Sequence, residues 1–282
     1  MSIQQDNKNI KRQQSVIAAL HISKTFDVAQ EISRRIAFLK ERLKCSQRNM
    51  LVLGISGGID SAVAGRLCQL AVMELRHEGI EARFIAMRLP YGVQQDEHDA
   101  REACRFIEPD EIITVNIKPA SDAMLEALCR DQPLFDTAHQ QDFIRGNIKA
   151  RQRMIAQYAI AGVRNGLVVG TDHAAEALMG FFTKFGDGAC DITPLTGLIK
   201  RRIRAIGAHL LASERLINKC PTADLECLAP LKPDEDVFGL SYDEIDDFLE
   251  GRVMSDVVYT QILRIYDATE HKRQLPVAIS AC

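Results

Sequence analysis

Leu53-Gly54-Ile55-Ser56-Gly57-Gly58-Ile59-Asp60-Ser61 is the stretch from which the rest of the chain is read. The apolar run Met50 to Leu53 that leads into it is too short for a helix and reads as a buried strand. Ser56-Gly57-Gly58 turns the chain, and Val63, Leu67 and Leu70 then recur at helical spacing. A glycine-rich turn between a strand and a helix presents free backbone N–H groups and the positive end of a helix dipole, which suits a phosphate or pyrophosphate. Asp60 and Ser61, in the first turn of that helix, add a carboxylate suited to Mg²⁺ and a hydroxyl. No lysine follows the glycines, so the loop is not of the G-x-x-x-x-G-K-[ST] type. The plainer reading is an ordinary turn with a capping aspartate.

Outward from this loop, the pattern alternates strands and helices. Upstream, residues 1 to about 25 are polar and weakly periodic, with a short helix expected from Gln14 to Leu20. A clearer helix begins at Val28, where Ile32, Ile36, Leu39 and Leu43 form an apolar stripe that must bury itself on the sheet or on a second subunit. Downstream, Arg83 to Met87 reads as a second strand and Ile112 to Ile117 as a third, with a helix opened by Asp96 to Asp99 between them. A long helix spans Asp142 to Ala161, and Gly166 to Gly170 is a fourth strand followed by Thr171-Asp172-His173-Ala174-Ala175-Glu176. This order predicts a doubly wound, mostly parallel α/β sheet whose ligand lies at the carboxyl ends of the strands. Arg145, Lys149, Arg151 and Arg153 on the long helix are read as a solvated face or as phosphate-holding cations.

Beyond the fourth strand the glycine-rich segment 181–198 reads as a long loop, and such loops inside a domain are usually functional or disordered. Lys200-Arg201-Arg202 starts a helix against its own dipole, which implies another use for those cations. Ser241-Tyr-Asp-Glu244 is a capping box for a helix stopped by Gly251, and a last helix runs from about Ser255 to Thr269. The expectation is one domain over residues 1–282, with helical segments at 1–48 and 240–282 flanking the sheet.

Composition narrows the class. The apolar fraction of 46% is ordinary and supplies a full core, and the net charge of −3 gives no electrostatic case for nucleic acid or a membrane surface. There is neither a run of about 18 apolar residues nor a signal-peptide pattern at the N-terminus. Eight scattered cysteines without a CxxC pair argue against metal clusters and disulfides and for a cytoplasmic protein.

The central loop resembles the SGGxDS loop of the N-type ATP pyrophosphatases, which have the adenine nucleotide alpha hydrolase-like fold. Further segments resemble the ammonia-dependent NAD synthetases, in that family's order. These are Arg88-Leu-Pro-Tyr-Gly-Val-Gln94, Lys149-Ala-Arg151, Gly170 to Glu176, Gly180-Phe-Phe-Thr-Lys184-Phe-Gly-Asp187-Gly, Pro221-Thr-Ala-Asp-Leu225 and Glu270-His-Lys-Arg273. The resemblance implies that ATP adenylates the carboxylate of deamido-NAD with loss of pyrophosphate, and that ammonia then displaces AMP. It assigns the ATP phosphates to Gly54, Ile55, Ser56, Gly57, Gly58, Ile59, Asp60 and Ser61, and Mg²⁺ to Asp60 and Glu176. Thr171, Lys200 and Thr222, with Arg88 and Gln94, would also contact ATP. Arg151, Lys184, Asp191, His271 and Lys272 would contact deamido-NAD, and Asp187 would hold or deprotonate ammonium. Asp60, Lys200 and Asp187 are thus the expected catalytic residues, while His173 is read as packed rather than as a base. The resemblance also implies a homodimer with its dinucleotide sites at the interface.

Four positions depart from the family pattern. Ile59 stands where glutamine is usual, Ala189 replaces a glycine after Gly188, Arg202-Ile203 replaces Gln-Gly, and Glu226-Cys227-Leu228 interrupts an acidic run. Rival readings fit less well. The second enzyme reading is a GMP-synthetase-like or tRNA-thiolating relative, of which the latter would want paired cysteines and a basic surface, and a redox dinucleotide enzyme needs a G-x-G-x-x-G that is absent. A non-catalytic nucleotide-binding module would have lost Asp60, Glu176 or Lys200. Some 50 residues precede the first strand, too few for a glutaminase domain, so free ammonia is the expected nitrogen source.

Overall fold

The computed structural model describes residues 2–92, 97–130, 134–222, 227–228 and 232–278, with side chains from residue 8 onward. Strands β1 (Met50–Gly54), β2 (Arg83–Arg88), β3 (Glu111–Thr114) and β4 (Gly166–Val168) form one parallel sheet in the order β3-β2-β1-β4. Register pairs Leu51 with Phe84 and Val52 with both Ile85 and Val168. Because side chains alternate along a strand, Leu51, Leu53, Phe84 and Ala86 enter one core while Val52, Ile85, Met87 and Val168 enter another. Both faces are therefore apolar and both must be covered, which is why the buried strands read as continuous hydrophobic runs.

Helices do the covering. In chain order they are α1 (Ser2–Ala19), α2 (Val28–Ser46), α3 (Ile59–His77), α4 (Glu97–Ile107), α5 (Lys118–Cys129), α6 (Ala138–Val163) and α7 (Ala174–Met179). After these come α8 (Lys200–His209), α9 (Glu214–Asn218), α10 (Asp234–Phe238), α11 (Tyr242–Leu249), α12 (Asp256–Ala268) and α13 (Glu270–Arg273). Helix α3 covers the first face, with α2 and α8 packed on it, and α6 lies against β1 and β4 on the second. This is the doubly wound arrangement the alternation predicted. None of the described helices is long and apolar enough to cross a membrane.

The stripe Ile32, Ile36, Leu39 and Leu43 is buried within the chain, in the core shared with α3 and α8. Each such side chain contributes about 1.5–3 kcal/mol relative to exposure. It lies on the helices above the sheet rather than on the sheet or on a second subunit. Arg35, on the same helix and only 5% exposed, donates to the carbonyls of Pro194 and Thr196 and so ties the 181–198 segment to α2.

The sequence missed several features. Helix α1 is longer than the predicted 14–20, because it buries Gln13 as well as Val16 and Leu20, and a polar residue carries no hydrophobic signal. The Gln13 amide donates to the carbonyls of Phe248 (2.7 Å) and Arg252 (3.0 Å) and accepts from Tyr259 (3.1 Å). α1 thereby joins α7, α11 and α12 in a separate helical core, while α2 belongs to the sheet layer. Regular pairing of β3 ends at Thr114, although Val115 and Ile117 still donate to Arg88 and Pro90. Segment 181–198 is anchored too, since Val169 and Ile192 form a parallel bridge beyond β4. The capping box of Ser241 and Glu244 is present, and Gly251 follows α11 at φ +80°.

Candidate active site

The β1–α3 turn is held by its own hydroxyls. Ser56 Oγ accepts from the Gly58 N–H (3.2 Å), Ser61 Oγ accepts from the Ser56 N–H (3.3 Å), and the two hydroxyls lie 3.1 Å apart. Gly57 has φ +85°, and a Cβ there would sit 2.7 Å from the Ala100 nitrogen, so only glycine lets α4 close on the loop. Gly58 is the N-cap of α3 and provides no capping side chain. Asp60 therefore does not act as a cap; its Oδ2 accepts from Lys200 Nζ at 2.6 Å. Ile59 turns its side chain into the core at 2% exposure, so the departure from glutamine replaces a polar side chain with packing against α8.

Lys200 comes from the start of α8, whose free N–H groups are bound by Asp246 of α11: the Lys200 N–H at 3.1 Å and the Arg201 N–H at 2.7 Å. Burial pushes the Asp246 carboxyl up to about 6 despite those donors. Each cation at this helix start has another partner, as its placement against the dipole implied. Lys200 reaches Asp60, Arg201 pairs with Asp247 and Glu250, and Arg202 donates to the Ser23 carbonyl and lies over Phe26.

At the end of β4 the acids crowd together. His173 Nε2 lies 3.5 Å from Asp60 Oδ1 and 3.5 Å from Glu176 Oε2. Asp60 Oδ1 and both ring nitrogens of His173 are buried without a hydrogen-bond partner, and a buried polar atom left so costs about 1–3 kcal/mol. Burial raises the Glu176 carboxyl well above its usual range, aided by the Asp60 and Asp172 carboxylates. Asp172 is pushed up to about 7, mainly by burial and then by Asp187. Asp187 is also raised by burial, although its carboxylate accepts from the Thr183 N–H at 2.9 Å. Burial acts on Asp60 as well, but the Lys200 ammonium outweighs it, and Asp60 alone of the four stays below its ordinary value. Burial lowers His173 to about 4, leaving it neutral. Four acids gathered here and facing few cations are a receptor for positive charge, and Asp60 and Glu176 supply the hard oxygen donors that Mg²⁺ prefers. The residues present fit that ion.

These groups surround a cavity of about 410 Å³, within the roughly 300–1,000 Å³ of small-molecule sites. Gly54, Ile55, Ser56, Gly58, Ile59, Asp60, Ser61, Thr171, Glu176, Asp187, Lys200, Thr222 and Lys272 line it. Gly57 turns outward toward α4, and Arg88 is paired with Glu97 away from the cavity wall. Gln94 lies outside the described residues. Of the five residues expected to contact deamido-NAD, Lys272 lines the cavity. Arg151 donates to the Lys184 carbonyl (3.2 Å) and Lys184 to the His271 carbonyl, forming a chain beside it. Asp191 stands apart, accepting from the Val168 N–H (2.7 Å) and from Tyr158 (3.3 Å).

Sequence reasoning missed one wall. Asn147, Ala150, Arg153 and Gln157 of α6 face the cavity, and Gln157 accepts from the Gly54 N–H at 2.7 Å. Their spacing at three and four residues was a helical face, but a face of small and polar residues looks like surface. The cations of α6 divide accordingly. Lys149 is 3% exposed and lies over the Tyr91 ring, Arg153 donates to the Leu89 carbonyl, and Arg151 is exposed, so a single solvated face is not what forms.

Known proteins share this architecture. Residues 31–276 match the family described as NAD synthase. The chain is 59% identical over 265 residues to the NH(3)-dependent NAD(+) synthetase of Burkholderia lata, covering 94% of each protein. It is 59% identical over 270 residues to the protein of that name from Streptomyces coelicolor, covering 96% of this chain and 98% of the relative. The crystal structure of NAD+ synthetase from Burkholderia pseudomallei superposes with a TM-score of 0.83 at 56% identity, covering 95% of this chain and 98% of that one. A glycine loop, an acid-lined cavity and a parallel sheet thus agree with the match over nearly the whole length: the chain belongs to the NAD synthase family and has its adenine nucleotide alpha hydrolase-like fold.

Proposed function

We infer that this protein is an ammonia-dependent NAD synthetase, a ligase that amidates deamido-NAD at the expense of ATP. The observation that carries the reading is the single cavity in which the Gly54–Ser61 loop, Lys200 and the Asp60, Glu176 and Asp187 carboxylates converge. In the first half-reaction a carboxylate oxygen of deamido-NAD attacks the α-phosphorus of ATP, and the bond to pyrophosphate breaks. The N-terminus of α3, the Ser56 and Ser61 hydroxyls and the Lys200 ammonium stabilise the leaving charge. Asp60 and Glu176 would hold Mg²⁺, which when bound supplies further neutralisation of the triphosphate. In the second half-reaction ammonia attacks the acyl carbon and AMP departs. Asp187 holds the ammonium beside that carbon and takes its proton, a role suited to a cavity-lining acid whose pKa is raised.

Arg151, Lys184, Asp191, His271 and Lys272 are assigned to deamido-NAD. Four of them lie outside the cavity wall, and Phe143 and Ile155 of α6 with Met124 and Leu128 of α5 are exposed nearby on the same face of the sheet. We therefore assign the protein as a homodimer that completes the dinucleotide site with this face, since the α2 stripe is already used within the chain. The chain is taken as one domain, because α1 and α2 each pack into the body rather than forming a unit of their own. The free thiols among the described cysteines favour the cytoplasm.

The test is purified protein with ATP, Mg²⁺ and deamido-NAD, given either ammonium or ammonia-free glutamine. Stoichiometric AMP, pyrophosphate and NAD from ammonium alone are expected, with rates rising with pH as free ammonia becomes available. Absence of NAD with ammonium, or equal formation from glutamine, overturns the reading. A fully active monomer by sedimentation at micromolar concentration overturns the dimer.

A further inference from the structure

We propose that His173 is a third protein ligand of the resident divalent cation, giving the site a nitrogen donor beside the Asp60 and Glu176 oxygens. The proposal rests on the assignment of those two acids as cation ligands. Its basis is geometric. His173 is 1% exposed, and its Nε2 stands 3.5 Å from a carboxylate oxygen on each side. A hydrogen bond to either oxygen would be about 2.7–3.2 Å long, so neither contact is one. Two donors on a common ion, each about 2.1 Å from it, stand about 3.0–3.6 Å apart at ordinary bond angles. The three donor atoms lie within 4.8 Å of one another.

The unmet valences point the same way. Nε2 of His173 and Oδ1 of Asp60 are both buried and both without a hydrogen-bond partner. Lys200 leaves that oxygen free, because it binds the other one, Oδ2. A side chain kept only for packing would present carbon at this spot, whereas an imidazole nitrogen aimed between two carboxylates has a lone pair to give. His173 is the N-cap of α7 and Glu176 stands three residues on, so one helical turn carries both ligands on the same side. The other cluster of three such groups, His98, Asp99 and Glu102, differs in kind. It is surface-lying, and its acids are already paired with Arg215 and Lys219.

The two carboxylate oxygens suit Mg²⁺, while an imidazole donor suits Mn²⁺ better, so Mn²⁺ is the ion in which the nitrogen ligand is read.

The decisive measurement is pulsed electron paramagnetic resonance of Mn²⁺ on the full-length enzyme containing ¹⁵N-histidine. It is made with and without a non-hydrolysable α,β-methylene analogue of ATP. A ¹⁵N coupling is expected in the wild type and is absent from His173→Asn and His173→Gln. Mn²⁺ affinity should fall in both variants by at least about tenfold, since even outer partners of metal ligands are worth that much. Mg²⁺ affinity should change far less. Because the wild-type coupling is read directly, a variant that fails to fold does not leave the proposal standing. Mn²⁺ bound without the coupling, or no Mn²⁺ bound in either state, overturns it. Mn²⁺ binding that survives Asp60→Asn and Glu176→Gln would instead overturn the assignment of the two acids.

Discussion

At one end of the cavity the chain offers the N-terminus of α3 and the Ser56 and Ser61 hydroxyls, which accept from the Gly58 and Ser56 N–H groups. At the other end it offers Asp172, Glu176 and Asp187, carboxyls that burial holds above their ordinary pKa. The first end is local, since eight consecutive residues make it. The second is assembled from β4, α7 and the 181–198 segment, and it is electrostatically expensive until a cation arrives. A site that must first bind a polyanion and then a small cation keeps the two tasks apart by building one pole from dipoles and the other from buried charge. Lys200 and Asp60, joined at 2.6 Å, mark the boundary.

Predictions follow from how unequal the two poles are. Asp60→Asn should lower pyrophosphate release about a thousandfold, or about 4 kcal/mol, because charge develops there in the transition state. Pre-steady-state measurements of pyrophosphate release that retain more than a tenth of the activity would erase the distinction.

The support of Lys200 can be tested through pH. The Asp246 carboxyl is raised from 3.8 to about 6 by burial. An acid held more firmly protonated when folded contributes stability that is fully present below about pH 4 and is lost as pH rises through about 6. Asp246→Asn removes this dependence. Its stability relative to the wild type should improve by about 3 kcal/mol between pH 4 and pH 8, because each pH unit separating the folded and unfolded pKa values is worth about 1.4 kcal/mol. Urea unfolding at the two pH values reads it. A difference that stays constant would show that the backbone donors keep the carboxylate ionised.

Asp187→Asn should spare adenylation and slow the ammonia step about a hundredfold, or about 2.7 kcal/mol. Rapid-quench measurement of pyrophosphate and NAD separates the steps, and equal losses in both would merge the two poles into one. The mildest effect belongs to the local pole. Gly57→Ala, forced to φ +85° with its Cβ against Ala100, should cost about 2 kcal/mol of stability and be felt as folding rather than as chemistry. Denaturant titration beside a single-turnover assay would detect the contrary, an unchanged midpoint with lost activity.

Much of the fold was visible in the residue pattern, and the reasons are particular. Val28–Ser46 announced itself through four apolar residues on one stripe, and Ser241–Glu244 through a capping box that acts over three residues. Helix α1 was under-read because its buried face includes Gln13, and the α6 wall because Asn147, Arg153 and Gln157 look like solvent-facing side chains. Helix α5 was not foreseen at all, although Pro119 stands in its first turn, where proline favours a helix start.

What the linear chain determined by itself was the strand–glycine-turn–helix unit and the alternation around it, since both depend on interactions between near neighbours. Its motif matches also named Asp60, Glu176, Asp187 and Lys200, which now meet around one cavity. Only the tertiary structure decided that Asp246 holds the start of the Lys200 helix, that Arg35 ties down the 181–198 segment, and that His173 stands between two carboxylates. Each of these brings together groups that are remote in sequence or turned by packing, and a buried polar atom is known by its surroundings. Local periodicity records which face of an element is apolar; it carries no trace of what that face, or a lone polar residue within it, will meet.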